Sequence, residues 1–429
     1  MKYKLSKFNL ETTNNAMSIV ANTLTKRSIR LPEKLWHGIQ NKIEILPESM
    51  KKNLLDFGII VEEDIDENNL YSAWFNTASN QTLATDITWM ITNVCNCRCV
   101  YCYEGDVTSQ LHQHIEVDSI AKWIADYTIA RDSKILNICL HGGEPMLYLD
   151  RIEKGIRKIQ ELLQYKGISI NYSMVSNGTL LTKENAKKLR DLGVKCVQIT
   201  IDGEKDIHDE RRVFKNGGKT FDVIMQNIMD IVEIIKVNLN ITIDSHNIES
   251  VERLYHLFNE HEQLKKLNEV RFSIVIDDDL MDQELQKIKY QEYSERIKRI
   301  VQKWQGTNVY IASPFESGVC PKKNLSHVLI WPDGMIYKCV THGGQKNDDS
   351  CVGSIKDSPY LIISRIFNRY YHVDLKPKCK DCKILPMCNG GCSSRNKNGG
   401  DCQFDYWNEW LTFCLNYVDL ANTTKKFLI

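Results

Sequence analysis

The chain has 429 residues, 42% hydrophobic and 26% charged, and its lysines plus arginines equal its aspartates plus glutamates at 55 each. That length implies two or three domains, and a formal net charge of zero argues against the broad positive field that nucleic acid or an anionic membrane surface requires. The polar N-terminus is no secretory signal and no run approaches the ~18 uncharged apolar residues of a membrane span, so the expected location is the cytoplasm, with no membrane and no nucleic-acid partner.

Three regions follow in chain order. Residues 1–85 read as a small α+β domain, with a strand-like stretch at Met17–Ser28 and helical patterns at Pro32–Gln40 and Pro47–Phe57. The acidic segment Glu62–Asn69 separates that pattern from what comes next. Residues 86–309 alternate. Strand-like runs are Ile87–Val94, Ile135–Leu140, Ile168–Val175, Val194–Ile201, Leu239–Ile243 and Val270–Ile276. Helical patterns at Val117–Ala130, Lys183–Leu192, Phe221–Val237 and Val251–Phe258 lie between them, and Gln283–Trp304 follows the last strand. Thr182 is placed to cap the helix after it, and Gly193 to end it. Six strand–helix units predict an α/β parallel sheet, open or closed into a partial barrel, with ligands at the C-terminal strand ends. Residues 310–429 have short strand signals and many loops, and need metal to hold them.

Fifteen cysteines stand out. Four lie between Cys95 and Cys102, nine between Cys320 and Cys414, and Cys139 and Cys196 sit alone in apolar strands, where they read as inert core. Without an export signal, such clustering suits metal better than disulfides. Cys95, Cys99 and Cys102 follow the first strand, so one tight loop carries three thiolates. Three ligands suit a four-iron cluster with one iron open, whereas structural zinc wants a closed shell of four. A zinc knuckle completed by Cys97 or a distant histidine is the alternative.

The run Cys95-Asn96-Cys97-Arg98-Cys99-Val100-Tyr101-Cys102-Tyr103-Glu104 resembles the signature of the radical S-adenosylmethionine superfamily, with aromatic Tyr101 before the third cysteine. The family usually has an apolar residue where Cys97 stands. The resemblance implies a partial (β/α)6 TIM-like barrel and a first [4Fe-4S] cluster on Cys95, Cys99 and Cys102. The second strand ends in His141-Gly142-Gly143-Glu144-Pro145, and the family's matching segment lies along the methionine amino group, a role this carries to Gly142, Gly143 and Glu144. Ser176 and Asn177, ending the third strand, match ribose-side contacts in related maturases. Thr200 and Arg212 match a hydroxyl–arginine pair holding the cofactor carboxylate, with threonine where serine is usual.

Farther on, Trp331-Pro332-Asp333-Gly334 predicts a hairpin delivering Cys339 near Cys320. The series Cys320, Cys339, Cys379, Cys382, Cys388, Cys392 and Cys414 resembles the twin-cluster SPASM domain. That likeness implies an auxiliary [4Fe-4S] cluster on Cys379, Cys382, Cys388 and Cys414, and part of a second on Cys320, Cys339 and Cys392. Two clusters need eight ligands. Cys351 or Cys402 is the eighth, or one iron is open or bound otherwise, the option we favour.

The implied reaction is generation of a 5′-deoxyadenosyl radical that takes hydrogen from a ribosomally made precursor peptide and forms a thioether or carbon–carbon crosslink. A flavodoxin- or ferredoxin-type donor would supply the electron. Residues 1–85 fit a winged-helix-like leader-recognition domain, often acting by strand addition, or a plain structural cap. A sulfatase-type maturase making formylglycine is the second reading, although such relatives usually lack so long a segment before the first cluster. A zinc-binding scaffold without catalysis is a third. No general base is singled out among Asp333, His342 and the tyrosines.

Overall fold

The structure, a computed structural model, describes residues 2–80, 83–102, 104–105, 115–244, 246–274, scattered positions between 292 and 303, 319–344, 350–371, 375–392, 402 and 404–417. The expected helix Gln283–Trp304 lies largely outside the described residues.

The chain starts with β1 (Tyr3–Leu5), then β2 (Asn9–Asn14), β3 (Met17–Asn22) and β4 (Ser28–Pro32), the last three forming an antiparallel sheet. The turn joining β2 to β3 is Asn15–Ala16, both at positive φ, the handedness a two-residue hairpin requires. Met17–Ser28, expected as one strand, is thus β3, a turn and the first residue of β4. Helices α1 (Glu33–Asn41) and α2 (Glu48–Asp56) start after prolines, which fit a first helical turn, and bury Trp36, Ile39 and Leu54 against Val20, Leu31 and Ile59. Strand β5 (Ile60–Glu62) returns to pair with β1. The acidic segment is no mere separator: Asp66 accepts from the backbone N–H groups of Asn68 and Asn69 and starts α3 (Glu67–Ser79). Its polar first turn hid it, because the buried face Glu67–Tyr71–Phe75–Ser79 starts on a carboxylate and turns apolar only one turn later.

The central body is an α/β partial barrel. Parallel strands β6 (Ala84–Thr92), β8 (Ile135–Gly142), β9 (Ser169–Ser176), β10 (Val194–Ile201), β12 (Lys236–Ile243) and β13 (Glu269–Ile274) are neighbours in chain order. Between them run α4 (Val117–Ala130), α5 (Leu149–Leu163), α6 (Lys183–Asp191), α7 (Lys205–Arg211), α8 (Phe221–Ile231), α9 (Ile248–Arg253) and α10 (Tyr255–Glu260). Thr182 caps α6 through Asn185 N–H, and Gly193 adopts φ +94° just past its end, as expected. The helix expected over Phe221–Val237 stops at Ile231. The apolar run Ile231–Ile235 suits either period, but buried Val237, Leu239, Ile241 and Ile243 alternate as a strand. Val251–Phe258 divides into α9 and α10.

Period-two alternation gives the sheet two unlike faces. Leu136, Ile138 and Leu140 of β8 are buried in the main core. Asn137, Cys139 and His141 point the other way and stay partly accessible. There Asn137 donates to Asp86 (2.9 Å) and Asn171 to Asn137 (2.8 Å). Cys139 and Cys196, read as core, both sit in register with Ser173 and are partly exposed.

Beyond β6 the sheet continues. Strand β14 (His327–Ile330) pairs parallel with β6, and β15 (Met335–Tyr337) and β16 (Cys351–Ser354) add antiparallel, giving nine strands. The expected hairpin joins β14 to β15: Gly334 N–H donates to Trp331 O (2.9 Å), and Gly334 takes φ +80°. No described helix is long and apolar enough to cross a membrane.

Candidate cofactor and metal site

Three strand exits are laced together above the sheet. Gly143 N–H donates to Thr92 O and Glu144 N–H to Val94 O, both at 2.9 Å, tying the end of β8 to the end of β6 just before Cys95. The two glycines make this approach possible. A Cβ at Gly142 would lie 2.3 Å from Thr92 O, and one at Gly143 2.5 Å from Val94 O. Glu144 is fully buried and accepts from Met146 N–H (3.0 Å), Ser176 Oγ (2.9 Å) and Asn177 N–H (2.7 Å), so its carboxylate clamps β8 to β9. Burial raises it to about 7 against the pull of those donors.

Asn177 links β9 to the cysteine loop. Its Nδ2 donates to Asn96 Oδ1 (2.7 Å) and lies 3.4 Å from Cys97 Sγ and 3.8 Å from Cys95 Sγ. The loop itself is a strand: β7 (Cys97–Cys99) pairs antiparallel with β11 (Arg212–Phe214), which sets Arg212 opposite Cys99. Cys97 is 5% exposed, whereas Cys95 and Cys99 are intermediate and Cys102 is exposed. Burial thus sets Cys97 apart from the other three. A hydrogen bond with Cys97 holds the Cys95 thiol below its ordinary range, and the same bond pushes Cys97 up.

Tyr101 donates to Asp202 Oδ1 (2.7 Å) and accepts from Arg212 Nη1 (2.6 Å). Burial works against the Arg212 charge, yet Tyr101, Cys99 and Asp202 outweigh it and keep the guanidinium protonated. Its Nε is buried with no partner among the described residues. Thr200 is buried at the end of β10, and no hydrogen bond joins it to Arg212 among the described residues.

Sequence reasoning missed the layer beneath. Arg211 grips Asp244 with two nitrogens (2.6 and 3.2 Å), reaches Asp202 (3.2 Å) and stacks 4.9 Å from the Tyr101 ring centre. Asn247 donates to Asp202 O and Thr242 O. The signal was present in Thr200-Ile201-Asp202 and Asp244, polar residues ending strands that run apolar.

A second cysteine gathering lies in the C-terminal part. Cys379, Cys382, Cys388 and Cys402 line one small cavity, together with Lys376 and Lys378. Lys323 donates to Gly391 O (3.1 Å) and to Asn389 O; burial lowers it from its ordinary range against the opposing pull of Cys320, Cys388, Cys392 and Cys379. Cys339 Sγ sits 3.0 Å from Thr341 Oγ1, and Cys351 lies in β16. The side chain of Cys414 is outside the described residues. No three His, Cys, Asp or Glu side chains among the described residues converge where one metal ion could sit. In a four-iron cluster each thiolate meets a different iron, so convergence on a point is not required.

These residues fit the groups the resemblance implies. Three accessible cysteine sulfurs share one loop, and Cys99 stands opposite a buried cation whose Nε–H lacks an acceptor among the described residues, a donor set suited to iron beside a carboxylate ligand.

The sequence matches the Radical SAM superfamily over residues 89–258. A cysteine-type anaerobic sulfatase-maturating enzyme of Clostridium novyi is 24% identical over 342 residues, 71% of this chain and 86% of that one. Matches to two further relatives, from Methanosarcina barkeri and Methanocaldococcus jannaschii, span about two fifths (41%) of those proteins' length. Among solved structures, native anSMEcpe with bound AdoMet superimposes with a TM-score of 0.64 at 21% identity, over 80% of this chain and 99% of that one. Streptococcus suis SuiB bound to precursor peptide SuiA gives 0.54 at 14% identity, over 91% and 95%.

Proposed function

We propose that this chain, whose residues 89–258 match the Radical SAM superfamily, is a radical S-adenosylmethionine enzyme using S-adenosylmethionine and a [4Fe-4S] cluster, and a maturase of a ribosomally made precursor peptide, forming a thioether or carbon–carbon crosslink. Its proposed organisation is a leader-recognition or capping domain (1–85), the radical barrel (86–309) and an auxiliary-cluster domain (310–429). The observation that carries the reading is the first of these. Among the described residues two small sheets and three helices precede the first cysteine loop and dock on the C-terminal cysteine field, through Lys7 Nζ to Lys380 O and Thr23 Oγ1 to Lys383 O, both 2.6 Å.

When bound, the cluster and S-adenosylmethionine supply one-electron cleavage of a carbon–sulfur bond and a 5′-deoxyadenosyl radical able to take hydrogen from an unactivated carbon. The chain's own residues position and shield that chemistry. Cys95, Cys99 and Cys102 would hold three irons and leave the fourth open. Gly142, Gly143 and Glu144 would lie along the methionine amino group, with the buried Glu144 carboxyl group as an acceptor there. Ser176 and Asn177 would meet the ribose. Arg212, steadied by Tyr101 and with Thr200 near, would receive the carboxylate on its unpartnered Nε–H. Cys379, Cys382 and Cys388, with Cys414, would hold one auxiliary cluster, and Cys320, Cys339 and Cys392 part of the other. Cys402 lines the cavity of the first set, which already has four assigned ligands, so its position does not favour it as the eighth. A flavodoxin- or ferredoxin-type protein would deliver the electron.

Formylglycine formation is the second reading, favoured by the likeness to sulfatase-maturating enzymes over 71% of this chain. Anaerobic turnover with a cysteine-containing precursor peptide, read by mass spectrometry, separates the two. A crosslink removes two hydrogens and keeps the sulfur, whereas formylglycine exchanges the sulfur for oxygen. Sulfur loss would overturn the crosslinking reading, and a failure to form 5′-deoxyadenosine would overturn both.

A further inference from the structure

Tyr71, in α3 of the N-terminal region, is fully buried, and its hydroxyl has no partner among the described residues. A phenol seldom goes without one when buried, because desolvating the hydroxyl is otherwise uncompensated. The ring is fixed by Phe8, Trp74 and Phe75, with centroids 6.3, 5.9 and 5.9 Å away. It belongs to an apolar cluster that crosses from the N-terminal region into the C-terminal cysteine field: Phe8, Leu24, Tyr71 and Phe75 pack with Leu385, and Cys379 and Cys382 lie against them. Leu385, Cys379 and Cys382 also line the cysteine cavity, so the cluster forms the back of its wall. The unpartnered hydroxyl therefore sits in a cluster that packs directly on Cys379 and Cys382.

The anchoring of α3 aims that group. Glu67, buried at the start of the helix, accepts from Ser6 Oγ (2.6 Å) and Lys7 N–H (3.1 Å), and Lys7 Nζ reaches Lys380 O between Cys379 and Cys382. Helix, strand connection and cysteine loop are one hydrogen-bonded unit.

We propose that Tyr71 donates a hydrogen bond to a sulfur of the cluster held by Cys379, Cys382 and Cys388, so that the N-terminal region tunes the reduction potential of that cluster as well as covering it. This rests on the auxiliary-cluster reading above. A donor to cluster sulfur stabilises the more negative, reduced form and raises the potential. The tyrosine keeps its proton throughout, and only the electron moves.

The test uses the full chain, reconstituted anaerobically, carrying Cys95→Ala, Cys99→Ala and Cys102→Ala so that only auxiliary clusters report. Redox titration followed by electron paramagnetic resonance should show one midpoint falling in Tyr71→Phe, by roughly tenfold in the reduction equilibrium or about 59 mV for one electron. The other midpoint and the iron content should not move. In D2O, the Tyr71-containing protein should show an exchangeable deuteron coupled to that cluster, absent in Tyr71→Phe. Unchanged midpoints would overturn the proposal. So would the absence of that deuteron from the Tyr71-containing protein, which decides the matter even if Tyr71→Phe fails to load iron. Adding Cys379→Ala checks the underlying reading separately: if it leaves iron content intact, the auxiliary-cluster assignment itself fails.

Discussion

Gly143→Ala tests the lacing of the strand exits. A Cβ there would meet Val94 O at 2.5 Å, Val94 C at 2.6 Å and Asn93 O at 2.9 Å, all backbone atoms that no rotamer can move aside. Reaching an ordinary contact of 3.4 Å requires the β8 exit and the 93–94 segment to part by about 0.9 Å. Two hydrogen bonds hold them together, Gly143 N–H to Thr92 O and Glu144 N–H to Val94 O. Losing either leaves buried backbone groups unpaired at about 1–3 kcal/mol each, so the substitution should destabilise the metal-free protein by about 2–5 kcal/mol. Cys95 follows Val94 directly, so the cysteine loop moves too, and reconstitution should load about four fewer irons per chain. Gly38→Ala is the matched control. Nothing lies within 4 Å of a Cβ there and the residue is inside α1, so alanine should stabilise by about 0.5–1 kcal/mol. Urea unfolding followed by circular dichroism, with an iron assay, reads both. A Gly143→Ala protein within about 0.5 kcal/mol of wild type and fully loaded with iron would refute the reasoning.

Three further outcomes follow from the same site. Cys99→Ala should abolish 5′-deoxyadenosine formation and cost about four irons per chain, whereas Cys97→Ala, at the buried position, should keep both; a fully active Cys99→Ala enzyme would defeat the ligand assignment. Arg212→Met should weaken S-adenosylmethionine binding by about 10- to 100-fold, the worth of one charge-assisted hydrogen bond of about 1.5–3 kcal/mol, measured by anaerobic equilibrium dialysis; equal affinity contradicts it. Glu144, raised by burial to about 7 from 4.5, favours its neutral form in the fold. The stability this gives the metal-free protein is fully present below about pH 4.5 and lost as pH rises through 7, about 3 kcal/mol across the window. Glu144→Gln has no such titration, so the difference between the two unfolding curves should grow over that range, and parallel curves would exclude it.

The barrel was legible because its strands are long, apolar and separated by turn residues. Val194–Ile201 and Val117–Ala130 have the bounds read from the sequence, and Thr182 and Gly193 mark α6 as capping chemistry requires. What failed to show was local ambiguity or long range. Ile231–Ile235 satisfies both periods, so only the alternation after it reveals the strand. Helix α3 was masked by a polar first turn whose Asp66 is a cap rather than a linker residue. The cysteine trio and Glu144 could be read from spacing and resemblance, but the β7–β11 ladder could not. Three residues in each partner give no periodicity, and their pairing joins positions more than a hundred apart. The ties of Asn177 to Asn96 and of Lys7 to Lys380 are likewise invisible until the chain folds.

That ladder sets two neighbouring arginines in different surroundings. Two arginines stand side by side, and two carboxylates, Asp202 and Asp244, lie below them. Arg211 binds both: the Asp244 pair is bidentate, and Asp202 takes its Nε–H. Arg212 meets Asp202 only through the neutral Tyr101 hydroxyl, which accepts from the guanidinium and donates to the carboxylate. No direct hydrogen bond joins Arg212 to Asp202 among the described residues; the intervening phenol orients the guanidinium, and Asp202 steadies it through charge alone. Pairing of β11 with β7 then fixes this cation opposite Cys99. The alternation of Arg211 and Arg212 at the junction of α7 and β11 thus separates two guanidinium groups, one holding the carboxylate floor and the other set opposite Cys99 with its Nε–H unpartnered among the described residues.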